Sequence, residues 1–161
     1  MKIGIISDTH DNAERVEKAL KIFRDNQVGL LIHCGDMTNM ETALLFQNIP
    51  TNAVLGNCDM NEQAISSAIA VSGGQFHGLS GQLLIDNLQI AWTHGHDKKL
   101  LHHLENLDKW DFVFYGHTHI ARIEQRGKTT IINPGAIQRV TVPTIGVLDC
   151  KTKEYQSITV E

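Results

Sequence analysis

Asp111-Phe112-Val113-Phe114-Tyr115-Gly116-His117-Thr118-His119 decides how the rest of the chain is read, because it runs an apolar strand straight into two imidazoles. Phe112 to Tyr115 is aromatic and β-branched, long enough for a strand covered on both faces and too short for a core helix. Gly116 then frees the backbone. His117 and His119, one residue apart, put both rings on one side of an extended chain. Two imidazoles alone cannot close a metal site, so further ligands have to come from elsewhere.

Four other apolar runs end in the same way. Ile3 to Ser7 leads into Asp8-Thr9-His10, Leu30 to Cys34 into Gly35-Asp36, Ala53 to Leu55 into Gly56-Asn57-Cys58-Asp59, and Leu88 to Thr93 into His94-Gly95-His96. An α/β sheet gathers its ligands beyond the carboxyl ends of its strands. Five strand ends carrying Asp, Asn and His therefore point to one shared site.

Composition bounds the rest. The 161 residues, 42% hydrophobic and 20% charged, suit a single domain over residues 1–161 with an ordinary core. No run approaches the roughly 20 apolar residues of a membrane span, and Asp8 breaks the first apolar run too early for a signal peptide. A cytoplasmic location is expected. Cys34, Cys58 and Cys150 are odd in number and form no Cys-x-x-Cys pair, which argues against a disulfide framework or zinc knuckle. The net charge of −4 and the lack of a Lys/Arg cluster argue against an extended nucleic acid as partner. A small anionic substrate fits better, since bound metal can supply local positive charge.

The N-terminal half alternates strand and helix. Ala13 to Asn26 carries Val16, Ala19, Leu20 and Phe23 at helical spacing, with Asp11 or Asn12 able to cap it. Thr38-Asn39-Met40-Glu41 has the form of a capping box before a second helix, which Pro50 closes. A weaker helix is expected around Glu62 to Ala70. This βαβαβ pattern implies parallel strands with right-handed crossovers. In the second half, Asp86-Asn87 joins Gln82–Ile85 to Leu88–Trp92 as a hairpin. Leu100, Leu101, Leu104 and Leu107 mark a helix face after Asp97. Hairpins then follow around Arg126-Gly127-Lys128 and near Lys151. The expected class is α/β, a mixed sandwich with sheet inside and helices outside.

The candidate ligands suggest a metal centre. Asp8 and His10 can grip one ion together, and Asp36 can offer one oxygen to each of two ions. Asn57 can give a carbonyl oxygen and His94, His117 and His119 nitrogens, making two sites around a shared carboxylate. Nitrogen and oxygen ligation without thiolate favours Mn, Fe, Ni, Zn or Co over Mg or Ca. Two such ions about 3.5 to 4 Å apart activate a bridging hydroxide and clamp an in-line displacement at phosphorus.

The series Asp8-x-His10, Gly35-Asp36, Gly56-Asn57, His94-Gly95-His96 and Gly116-His117-Thr118-His119 resembles the calcineurin-like metallophosphoesterase superfamily, in particular its small single-domain microbial phosphodiesterases. The resemblance spans essentially the whole chain. It implies a four-layer αββα sandwich and a phosphodiesterase that uses two divalent ions, Mn foremost, on a small phosphodiester. It also implies that one ion takes Asp8, His10, Asp36 and His119 and the other Asp36, Asn57, His94 and His117. Asn133-Pro134-Gly135 resembles a stretch these small enzymes carry after the last ligand. Many members place a His after the Asn ligand to assist the phosphate and leaving group; here that residue is Cys58. His96 is then the preferred leaving-group acid over Cys58, because an imidazole near pKa 6.5 suits the task better than a thiol near 8.5.

Other residues have plainer readings. His33 is expected as a hydrogen-bonded core imidazole, His102 and His103 as a solvated helix face, His77 as a surface loop residue and Cys34 as core packing. Cys58 is a weak candidate nucleophile, since its activators are committed to metal. Three functions compete: the dimetal phosphodiesterase, with a phosphomonoesterase as its near variant; a metal-dependent nuclease; and a silent scaffold like the retromer subunit of similar fold. A nuclease calls for a basic groove, for which Arg122, Arg126, Lys128 and Arg139 are the available residues. A scaffold is expected to lose ligands, and all seven positions here hold competent side chains. Association into a homo-oligomer is left open.

Overall fold

The chain begins β1 (Lys2–Ile6), α1 (Ala13–Asp25), β2 (Leu30–His33), α2 (Met40–Leu44), β3 (Thr51–Ala53), α3 (Glu62–Val71) and β4 (Gln75–Phe76) in the computed structural model, which describes residues 1–161. It continues β5 (Ser80–Ile85), β6 (Leu88–Thr93), α4 (Lys98–Asn106), β7 (Phe112–Phe114), β8 (Arg122–Arg126), β9 (Thr129–Asn133), β10 (Thr144–Asp149) and β11 (Glu154–Thr159). The strands form two mixed sheets, ordered β11-β10-β1-β2-β3-β4 and β5-β6-β7-β9-β8. Within them β1 to β4 are parallel, as are β6, β7 and β9.

Strand alternation builds four layers. In β1, Ile3 and Ile5 face the second sheet and Ile6 the helices; in β7, Phe112 and Phe114 face the first sheet and Val113 turns outward to α4. Val16, Leu20 and Phe23 of α1 and Ile65 and Ile69 of α3 cover the outer face of the first sheet. Leu104 of α4 packs with Ala91, Val113 and Tyr115 outside the second. β1, β2 and β7 are thus covered on both sides, which explains their largely apolar sequence. Full burial of Phe23, Phe46 and Phe114 contributes about 1.5–3 kcal/mol each. No helix is long and apolar enough to cross a membrane.

Local signals and structure differ in three places. Asn39, not Thr38, caps α2 by accepting from the Thr42 N–H, because the Thr38 N–H goes to Asp59 and its hydroxyl to Asp11. Gln75-Phe76 adds a sixth strand to the first sheet through pairing with β3, a contact too short for periodicity to mark. His77 is half-buried, its ring edge-on to Trp92 at 4.9 Å and its Nε2 3.1 Å from Asn52 Oδ1. The turn at Asp86-Asn87 is as expected: both residues take positive φ, 48° and 64°, between Ile85 and Leu88.

His33 is wholly buried between the ends of β1 and β2. Gly35 N–H donates to its Nδ1 at 3.1 Å, so Nε2 carries the proton and meets Thr9 Oγ1 at 3.3 Å. Burial pushes this imidazole down to about 3 from 6.5. As pH falls, the unfolded chain takes up the proton first, so stability should fall between pH 6.5 and about 3. The slope from this residue is up to about 1.4 kcal/mol per pH unit. Urea unfolding from pH 7 to 4 should show a shallower pH dependence in His33→Gln than in wild type; equal slopes would contradict this assignment.

Candidate metal centre

The carboxyl ends of β1, β2, β3, β6 and β7 meet at one edge of the sandwich. The chain leaves them under strain: Asp8, His10, Asp36, His117 and His119 have φ of 54°, 40°, 61°, 65° and 59°. Such left-handed positions cost on the order of 1–3 kcal/mol each in non-glycine residues and collect at functional sites. Backbone bonds hold them, Asp8 N–H to the Gly35 carbonyl and His10 N–H to the Asp36 carbonyl, both at 3.1 Å. Asp59 accepts from the N–H groups of Asp36 (3.0 Å), Gly56 (2.7 Å) and Thr38 (2.6 Å), fixing the β2 and β3 loops together. Asn133 does the same for the histidine turn. Its Nδ2 donates to the Gly116 carbonyl at 2.8 Å and to Thr118 Oγ1 at 3.0 Å, while Oδ1 accepts from Gly135 N–H at 2.9 Å.

Two clusters of ligand atoms result. In the first, Asp8 Oδ1 lies 3.1 Å from His119 Nε2 and 3.8 Å from His10 Nε2, and the two imidazole nitrogens are 3.3 Å apart. In the second, His94 Nε2 lies 3.0 Å from Asn57 Oδ1 and 3.5 Å from Asp36 Oδ2. Asp36 joins them, because its Oδ2 is also 3.6 Å from His10 Nε2. Ligands sharing one ion at bond lengths of 2.0–2.2 Å stand about 3 to 4 Å apart, so these spacings suit metal. His117 is more open. Its ring centroid is 5.1 Å from that of His94, and its N–H donates to Asp8 Oδ2 at 3.1 Å.

The electrostatics call for a cation. Asp8 is wholly buried, yet its Oδ1 receives no hydrogen bond, and a buried unpaired carboxylate oxygen is costly without a positive partner. Burial works to raise the Asp36 pKa, but His94 and the Cys58 N–H, which donates to Oδ1 at 2.8 Å, outweigh it and hold the carboxyl well below its usual range. Conversely, burial works against protonation of His94, but Asp36 wins and raises it. The His94 Nδ1 contact to the Cys34 carbonyl at 2.8 Å aims Nε2 at the cluster, a common support for a metal-binding imidazole. Burial lowers His10, helped by the positive charge of Arg139. His117 is lowered by burial and by His94. The donor set of carboxylate, amide oxygen and imidazole thus fits divalent transition metals.

His96 borders the centre, its ring centroid 5.4 Å from His94 and 6.3 Å from His117, with a buried Nδ1 that has no partner. Cys58 also borders it, as its Sγ shares a 4.8 Å neighbourhood with ligand atoms of His10 and Asp36. Burial and Asp36 raise the thiol, which disfavours a thiolate nucleophile. His33 and Cys34 are core residues, and His102 and His103 are exposed on α4. The supporting roles of Asp59 and Asn133 went unread in the sequence, because both act through contacts with distant loops.

This fold and these residues define a class. A family model described as the calcineurin-like phosphoesterase superfamily domain matches residues 1–153, and the chain belongs to that family of metal-dependent phosphoesterases. It is 36% identical to a phosphodiesterase of Methanocaldococcus jannaschii over 100% of both chains. It is 28% identical to the phosphodiesterase YfcE of Escherichia coli over 85% of this chain and 79% of that one. Among solved structures, an archaeal phosphodiesterase superposes with TM-score 0.92 at 34% identity, covering 99% of each chain. A zinc-complexed Vps29 of Entamoeba histolytica shares the fold alone, with TM-score 0.69 at 16% identity and 100% of both chains covered.

A Cβ on Gly116 would meet Ser7 Oγ and sit 2.7 Å from Asp8 Oδ2, where Ser7 Oγ already donates at 2.6 Å. Gly116→Ala should therefore displace Asp8, and Asn133→Ala should loosen the histidine turn. Each should weaken Mn binding by about 10- to 100-fold, the usual loss for residues that orient ligands. Competition against a fluorescent chelator checks this, and wild-type affinity in both variants would contradict it.

Proposed function

We infer that the chain is a dimetal phosphodiesterase that acts on small phosphodiesters, with Asp36 shared between two Mn ions. The buried Asp8 Oδ1, without a hydrogen bond and facing two imidazole nitrogens, carries this reading. Asp8, His10, Asp36 and His119 would hold one ion; Asp36, Asn57, His94 and His117 would hold the other. When bound, the ions lower the pKa of water in the site and neutralise phosphoryl charge. Asp36 keeps its negative charge at neutral pH because hydrogen bonds to His94 and Cys58 favour the anion. Asp36 raises His94, so protons and metal compete for its Nε2 and metal affinity depends on pH. His96 is the leaving-group acid in this reading, near enough to His94 and His117 to share their cavity.

The nuclease reading is weaker. Arg122 pairs with Glu124, Arg126 with Glu105 and Glu124, and Lys128 approaches Asp108 at 4.0 Å, so these cations form no free basic stripe. The scaffold reading would leave the strained, buried ligand cluster without a use. The free thiols Cys34, Cys58 and Cys150 suit a reducing, cytoplasmic setting.

Chelated protein should be inactive on bis(p-nitrophenyl) phosphate and regain activity with Mn, with Mg restoring little. Recovery without added metal would sink the proposal. Asp36→Asn should deplete both ions and Asn57→Ala mainly one, as read by elemental analysis. Equal single-ion loss would remove Asp36 from its bridging role.

Leaving-group chemistry tests His96. A p-nitrophenolate departs without a proton, whereas an alkoxide needs one. His96→Ala should thus slow alkyl diesters by about 10² to 10⁴ and p-nitrophenyl diesters far less. Equal losses with intact metal content would make His96 a phosphate-contact residue instead.

A further inference from the structure

The segment after Asn133 runs along the rim of the centre and is fastened on both sides. Asn12 Nδ2 donates to Gln138 Oε1 at 3.0 Å, and Arg15 Nη1 donates to the Ile137 carbonyl at 2.8 Å. These bonds tie residues 137 and 138 to the start of α1, just past His10. Thr144 closes the other side through its N–H to the Ala136 carbonyl at 3.1 Å and its hydroxyl to the Pro134 carbonyl at 2.7 Å. Arg139 follows the clamp at once. It is exposed and held at φ 60°, a conformation that disfavours a long side chain.

That strained position carries a free cation. Of the six Lys and Arg residues after the last candidate ligand, Arg122, Arg126, Lys128 and Lys153 have carboxylate partners. Lys151 lies at the opposite end of the first sheet, beyond the pairing of Asp149 with Lys2, which leaves Arg139 as the one on the side of the centre with neither an ion pair nor a side-chain hydrogen bond. Its neighbour Gln138 is bonded to Asn12, two residues past His10, which brings Arg139 to the side of the centre where β1 ends. Glycine would relieve the strain at this position, so the guanidinium serves no stability purpose visible in the fold.

We propose that Arg139 is a phosphate-recognition residue, its guanidinium fork donating to non-bridging oxygens of the substrate phosphoryl group at the mouth of the centre. The assignment rests on the phosphodiesterase reading above. An unpaired guanidinium on a fastened backbone loses no protein partner when it takes a phosphate.

Calorimetric titration of the Mn-loaded protein with inorganic phosphate tests it. Arg139→Gly removes the side chain and relaxes the backbone, so the variant should fold at least as well as wild type and keep its Mn. Phosphate should bind it about 10- to 100-fold more weakly, the loss of one or two charge-assisted hydrogen bonds. Arg139→Lys should fall in between, and in both variants KM for bis(p-nitrophenyl) phosphate should change more than kcat. Unchanged phosphate affinity in Arg139→Gly would overturn the assignment and leave the dimetal reading standing. Lost Mn in that variant would overturn it too, making Arg139 a structural residue of the centre. A Mn-loaded wild type that binds no phosphate would overturn both.

Discussion

Two carboxylates withdrawn from water, Asp8 at 0% and Asp36 at 2% exposure, impose the constraint on which this molecule depends. A buried ion costs several kcal/mol unless charge and hydrogen bonds compensate it. The protein answers in part with its own groups. Asp8 Oδ2 takes the Ser7 hydroxyl and the His117 N–H, and Asp36 Oδ1 takes the Cys58 N–H. The other oxygen of each turns toward imidazoles, which leaves the remaining charge to be met by cations.

The sandwich exists, from this viewpoint, to hold five strand ends against that charge. The His94 contact to the Cys34 carbonyl and the His117 N–H to Asp8 both run from the second sheet to the first. The site therefore stitches the two sheets where their inter-sheet core of Ile3, Ile5, Trp92 and Phe114 ends. A core of this density can stabilise five left-handed backbone positions in one place. It also makes the donors rigid, and preorganised donors raise metal affinity and transition-state stabilisation.

Much of this was legible in the sequence because it is encoded locally. Apolar runs ending in Asp8, Asp36, Asn57, His94 and His117 marked the strand ends, and Asn12 and Asp97 cap the helices that follow. What escaped depends on distance in sequence. Thr38 reads as a cap until Asp59 and Asp11 claim it, and Gln75-Phe76 becomes a strand only beside Asn52 and Ala53. Asn133 acts through its side-chain amide on the Gly116 carbonyl, 17 residues away, a contact that its own neighbours in sequence do not encode. In the sequence Arg139 looks no different from Arg122 and Arg126; only their carboxylate partners set it apart.

The central claim is that one shared carboxylate organises two ions, and anomalous diffraction from crystals grown with Mn tests it most directly. Two peaks about 3.5 to 4 Å apart should appear, with Asp36 between them, Asp8, His10 and His119 on one and Asn57, His94 and His117 on the other. A single peak, or a pair that leaves Asp36 unligated, would contradict the account.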